Sequence, residues 1–156
     1  MARLSRDSLT AFATLLLLGA ACGGSNGGGE AGEGGGGSAV DVTLQEFAVG
    51  APSSASAGEV TFNVSNIGEE THEFVVIKTD LGATELPTAK DGSVDEAGSG
   101  MEVVDEVEDL AAGKAETLTV DLDAGHYVLI CNVVEKEEGK TVSHYQNGMR
   151  AELTAE

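Results

Sequence analysis

Residues 125–133 read GHYVLICNV. At the period of a β-strand, Tyr127, Leu129 and Cys131 share one face, and His126, Val128 and Ile130 share the other. If Cys131 points into the interior, His126 points away from it, which makes His126 a surface residue rather than a ligand. The turn signal Asp123-Ala124-Gly125 bounds the run on its N-terminal side.

The same period recurs along the chain. Residues 40–49, 58–68, 71–79, 101–110, 115–122 and 149–154 show alternation or short β-branched runs, separated by clusters of Gly, Pro, Asp and Ser such as GAPSSASAG, AAGK and DAG. With the run through Cys131 this gives seven short strands, the pattern of an all-β sandwich. Residues 80–100 are the exception: Leu81, Leu86 and Pro87 aside, they offer little to bury. They read as a long surface excursion with room for one helical turn.

The N-terminus is of a different kind. Arg3 and Arg6 precede the apolar stretch from Leu9 to Ala21, which ends in small residues before Cys22. That stretch is shorter than the roughly 20 residues a spanning helix needs, so residues 1–22 read as an export signal. LLLLGAAC resembles the lipobox of bacterial lipoproteins, which implies lipidation at Cys22; an ordinary secretory signal would leave Cys22 as a free thiol. Residues 23–38 contain ten glycines and no hydrophobic period, a flexible linker with a reach of roughly 20–24 Å. The folded domain is expected over 39–156.

The formal charge of −19 makes nucleic acid and anionic lipid surfaces poor partners. It would steer a basic protein partner, or serve solubility alone. With Cys22 set aside, Cys131 has no partner, so it is either a buried inert thiol or a functional one.

Four residues capable of binding a soft metal remain: His72, Cys131, His144 and Met149. Each stands where a strand begins or ends, and ligands on loops at one end of a sandwich can converge. Met1 belongs to the export signal and Met101 reads as packing. Two imidazoles and a thiolate in a trigonal plane, with a weak thioether on the axis, suit both oxidation states of copper. A buried Cys, a His and a Met also occur together by chance in many sandwiches. The complete set, with His and Met spaced as in HYQNGM (144–149), is harder to explain that way.

The blocks SNIGEETHEFVV (65–76), GHYVLICNV (125–133) and SHYQNGMRAELT (143–154) resemble the cupredoxins, and among them the plastocyanin-like, pseudoazurin-like and sulfocyanin-like proteins. The resemblance covers the whole folded part. It implies a Greek-key sandwich of about seven to eight strands and one copper ion, with His72, Cys131 and His144 as equatorial ligands and Met149 as the axial one. It further implies that Tyr127 packs in the core and ties down a loop with its hydroxyl. His144 would offer an exposed ring edge for electron exchange, with Tyr145 near a docking surface.

Two departures stand out. Glu73 follows His72 where the family commonly has Asn; its backbone N–H would still reach the thiolate, and Asn132 could supply the side-chain tie. Twelve residues, NVVEKEEGKTVS, separate Cys131 from His144, where two to four are usual, which suggests an inserted hairpin. The implied function is one-electron transfer by a lipid-anchored monomer outside the cytoplasm, with a partner such as a cytochrome c or a terminal oxidase subunit. The alternative is a copper store or carrier. Multicopper enzymes need further His pairs, which three histidines cannot supply.

Overall fold

The computed structural model describes residues 37–156. The expected export signal, Cys22 and nearly all of the Gly-rich linker lie outside the described residues. The first strand, β1 (Ser38–Gln45), buries Val40, Val42 and Leu44 and exposes the residues between them. It pairs with β2 (Ala48–Gly50) and, in parallel, with β4 (Gly58–Asn66); β4 pairs antiparallel with β7 (Ala115–Leu122). The resulting sheet has the order β2-β1-β4-β7.

The second sheet has the order β3-β11-β8-β5-β6, from β3 (Ser54–Ala55), β5 (His72–Thr79), β6 (Met101–Leu110), β8 (Gly125–Ile130) and β11 (Arg150–Ala155). The chain passes back and forth between the sheets, so all seven predicted strands are present. Between the sheets, Val60, Phe62, Val64, Leu118 and Val120 meet Phe74, Val76, Tyr127, Leu129 and Leu153. Cys131 and Met149 belong to this inner core, and Val128 and Ile130 to the opposite face. The alternation read from GHYVLIC is therefore observed.

Residues 80–100 differ from expectation. They hold turns and a Thr88–Val94 bridge instead of a helical turn. They also bury more than their composition suggested. Leu86 and Val94 close a second apolar cluster with Val75, Ile77, Val128, Ile130 and Tyr145 on the outer face of the five-stranded sheet. This cover explains why β5 and β8 are apolar on both faces, a pattern that requires burial on both sides.

The insertion after Cys131 is a hairpin of β9 (Val134–Glu137) and β10 (Lys140–Ser143). Glu138 and Gly139 form its turn, with φ of 48° and 81°, the two positive angles of a type I′ turn. Val134 pairs with Ser143, and the His144 N–H donates to the Val133 carbonyl at 3.0 Å. The hairpin is thus closed at its base, and the one-turn helix α1 (His144–Asn147) follows directly.

Candidate metal centre

Four segments deliver His72, Cys131, His144 and Met149 to one end of the sandwich: the start of β5, the residue after β8, the start of α1 and the residue before β11. All four are fully buried. The two Nδ1 atoms lie 3.2 Å apart, and Cys131 Sγ is 3.5 Å from His144 Nδ1 and 3.8 Å from His72 Nδ1.

Local chemistry fixes each approach. Asn66, buried at the end of β4, accepts from the Gly68 N–H at 2.9 Å and donates to the carbonyls of Glu70 at 2.7 Å and Leu110 at 2.8 Å. One side chain thereby shapes the turn that leads into His72. Ser143 caps α1, accepting from the Gln146 N–H at 3.2 Å and donating to the Gly92 carbonyl at 2.7 Å. Gly148 ends α1 at φ 124°, where a Cβ would stand 2.9 Å from the Phe47 carbonyl. The turn that presents Met149 therefore needs glycine. Backbone bonds from Met149 N–H to the His144 carbonyl, 3.0 Å, and from Cys131 N–H to the Met149 carbonyl, 3.1 Å, tie the segments together.

Burial pushes the Cys131 thiol up to about 11, against the Glu73 and Val133 N–H groups, which favour the thiolate. Burial, and then the neighbouring His144, lower the pKa of His72 against the pull of Glu46. The chain alone therefore favours a neutral thiol and a neutral imidazole at this point. A cation would reverse the first and suit the second.

The donors fit a metal of that kind. The point equidistant from the two Nδ1 atoms and Sγ lies about 2.0 Å from each, the length of a bond from a transition metal to imidazole nitrogen. The Glu73 N–H donates to Sγ at 3.3 Å, and the Met149 side chain shares the core around Cys131. Two imidazoles, a thiolate and a thioether make a set suited to copper.

No protein-family model and no curated protein sequence matches the chain. Solved structures do. Reduced auracyanin from the photosynthetic bacterium Roseiflexus castenholzii is similar at 19% identity over 76% of this chain and 96% of that one, with a TM-score of 0.53. Auracyanin A, a "blue" copper protein from Chloroflexus aurantiacus, is similar at 20% identity over 78% of this chain and 100% of that one, with a TM-score of 0.52. The copper protein rusticyanin is similar at 17% identity over 78% and 80%, also with a TM-score of 0.52.

The fold is that of the cupredoxins. Within this cupredoxin fold the departures read from the sequence can be placed. The Glu73 carboxyl groups with Glu96 and Glu106. Burial, then repulsion from Glu106, Glu96 and Glu108, pushes it up to about 7, with the Asn132 N–H pulling the other way. The Asn132 side chain binds the excursion, accepting from Val94 N–H at 2.6 Å and donating to the Val94 carbonyl at 3.1 Å and to Glu96 at 2.7 Å. Tyr127 is buried, and its hydroxyl donates to the Asp123 carbonyl at 2.8 Å, at the other end of β8 from Cys131. His126 lies apart from the centre, its Nδ1 2.8 Å from the Thr79 carbonyl.

One expectation is overturned. His144 is 0% exposed and Tyr145 2%, so neither offers a free ring edge. Phe47 packs edge-on against His144, with centroids 5.4 Å apart. His144 Nε2 lies 3.0 Å from Glu135 Oε1 and 3.4 Å from Glu70 Oε2. Tyr145 turns into the outer apolar cluster and donates to the Ala83 carbonyl at 2.8 Å. Part of the cover over His144 comes from the inserted hairpin, whose strand β9 brings Glu135 to the ring. Glu46, Glu70 and Glu135 were not singled out in the sequence, because nothing marks them among 27 acidic residues.

Proposed function

We propose that this protein is a type 1 copper electron carrier, with His72, Cys131 and His144 as equatorial ligands and Met149 as the axial one. The observation that carries the reading is the convergence of two Nδ1 atoms and Sγ, 3.2–3.8 Å apart, in a fully buried place. Copper held there supplies a one-electron Cu(II)/Cu(I) couple. The chain's part is to hold the donors still: they are fixed by Asn66, the Ser143 cap, Gly148 and the backbone bonds between segments, so little rearrangement accompanies electron exchange.

The reading extends to location and partner. The export signal and lipobox-like Cys22 support a carrier tethered outside the cytoplasm. The charge of −19, with Glu46, Glu69, Glu70 and Glu135 at the ligand end, supports docking by a basic redox protein such as a cytochrome c or a terminal oxidase subunit. A store or carrier of copper would use the same ligands; their complete burial favours retention over release, and competition with a copper chelator separates the two.

The deciding experiment is copper titration followed by visible and EPR spectra and voltammetry, repeated with Cys131→Ser. An intense thiolate-to-copper band and a reversible one-electron couple are expected, and the band disappears in the variant. A blue spectrum that survives Cys131→Ser would sink the assignment.

A further inference from the structure

The two ligand imidazoles are covered on their far edges by carboxylates from separate parts of the chain. Glu46 comes from the turn between β1 and β2, Glu70 from the loop before β5, and Glu135 from the inserted hairpin. The contacts differ in kind. Glu135 Oε1 makes a hydrogen bond with His144 Nε2 at 3.0 Å, deep enough that the ring is fully buried while the carboxylate keeps about a third of its surface in solvent. Glu46 Oε1 stands 3.2 Å from His72 Nε2 without the alignment of a hydrogen bond, because it is already held by the Glu69 and Glu70 N–H groups at 2.9 and 2.7 Å.

A neutral imidazole carries one N–H, and the partner of that N–H decides which nitrogen keeps its lone pair. A carboxylate can only accept from Nε2, so the Glu135 bond leaves the lone pair of His144 on Nδ1, the atom that faces Sγ and the other imidazole. Glu135 is itself held in place by β9, where it pairs with Val142. Its negative charge sits one ring away from the donor triangle, beside a fully buried histidine. Charge so placed favours the more positive of two oxidation states.

Resting on the copper reading above, we propose that Glu135 is a positioning residue. It selects the ligating tautomer of His144 and biases the centre towards its oxidised state, so that the hairpin inserted between the ligands tunes the potential. Glu46 supplies charge to the His72 side without orienting the ring.

The test compares wild type, Glu135→Gln, Glu135→Ala and Glu46→Gln in the copper-loaded protein. Glutamine keeps an acceptor and removes the charge. Glu135→Gln should raise the midpoint potential enough to change the reduced-to-oxidised ratio about tenfold at a fixed potential, 59 mV for one electron, with the visible and EPR signature of the ligands retained. Glu135→Ala should raise it and also broaden the EPR lines, as the ring loses its orienting partner. Nitrogen-15 spectra of the metal-free wild-type protein, where no metal fixes the tautomer, should show the His144 proton on Nε2, giving way to a mixture of the two tautomers in Glu135→Ala.

A wild-type centre that is blue and reversible, with a Glu135→Gln potential equal to its own, would overturn the proposal while leaving the copper assignment intact. A His144 without a proton on Nε2 would overturn it as well. Should the Glu135 variants not fold, the wild-type nitrogen spectrum decides, and Glu46→Gln serves as the control that should raise the potential without moving the His144 proton. If wild type shows no blue band, the copper reading fails by itself, and the nitrogen spectrum still reports whether Glu135 holds the ring.

Discussion

Replacing Asn66 by Ala removes a side chain that makes three hydrogen bonds at the entrance to the metal centre. One is buried, to the Leu110 carbonyl at 2.8 Å; two are partly buried, to the Glu70 carbonyl at 2.7 Å and from the Gly68 N–H at 2.9 Å. Leaving the buried carbonyl unpaired costs about 1–3 kcal/mol, and each partly buried bond is worth about 0.5–1 kcal/mol. The loss should be about 2–5 kcal/mol. Urea denaturation of the metal-free protein, followed by circular dichroism, reads it as a lower midpoint at unchanged slope. The effect should reach the site too, because the turn Asn66 holds also carries Glu70 and His72. Asn66→Asp should be no milder, since it turns an oxygen towards two carbonyl oxygens. A loss for Asn66→Ala below about 1 kcal/mol, the worth of one ordinary bond, would refute the view that this residue organises the turn.

Leu86→Ala should cost about 2–4 kcal/mol in the same assay, because Leu86 is buried against the outer face of the five-stranded sheet; a neutral outcome would mean that residues 80–100 are not part of the core. Met149→Leu keeps an apolar side chain of similar size in the core, so metal-free stability should fall by less than about 1.5 kcal/mol, while loss of the thioether should raise the midpoint potential, read by voltammetry. Glu106→Gln should stabilise the protein at neutral pH by under about 1 kcal/mol. Burial and then Glu96, Glu108 and Asp105 raise the Glu106 pKa, and Glu73 lies in the same group. A raised carboxyl pKa contributes stability below its unfolded value and loses it as pH climbs through the folded one. The gain should therefore vanish near pH 4 and shrink in high salt.

Much of the fold was legible because its strands obey a period of two, and GHYVLIC assigned both faces of β8 correctly. The excursion at 80–100 was harder. Leu86 and Val94 are isolated apolar residues in a polar stretch, and only their meeting with Val75, Ile77 and Tyr145 makes them core. At the centre, residue type and order singled out His72, Cys131, His144 and Met149, since few side chains offer soft donors. The surroundings of the imidazoles could not be read the same way. Glu135 and His144 are nine residues apart and meet because a hairpin folds between them, and Glu46 reaches His72 from a different sheet. Carboxylates are too common in this chain for such contacts to leave a local mark. Burial of Tyr145 follows from the single turn of α1, which sends adjacent side chains in different directions.

The closed hairpin between Cys131 and His144 separates the length of a loop from its tightness. Twelve residues separate Cys131 from His144, yet the span the ligands experience is set at the base, where Val134 meets Ser143 and Val133 meets His144. The ladder above that base absorbs the extra chain, so closure entropy is met by cross-strand pairing and not by slack at the centre. The turn at Glu138 and Gly139 is thus a permissive position. Sequence added or exchanged there can alter what the protein's exterior presents while the donors below keep their geometry, so the surface and the donor set have room to change independently.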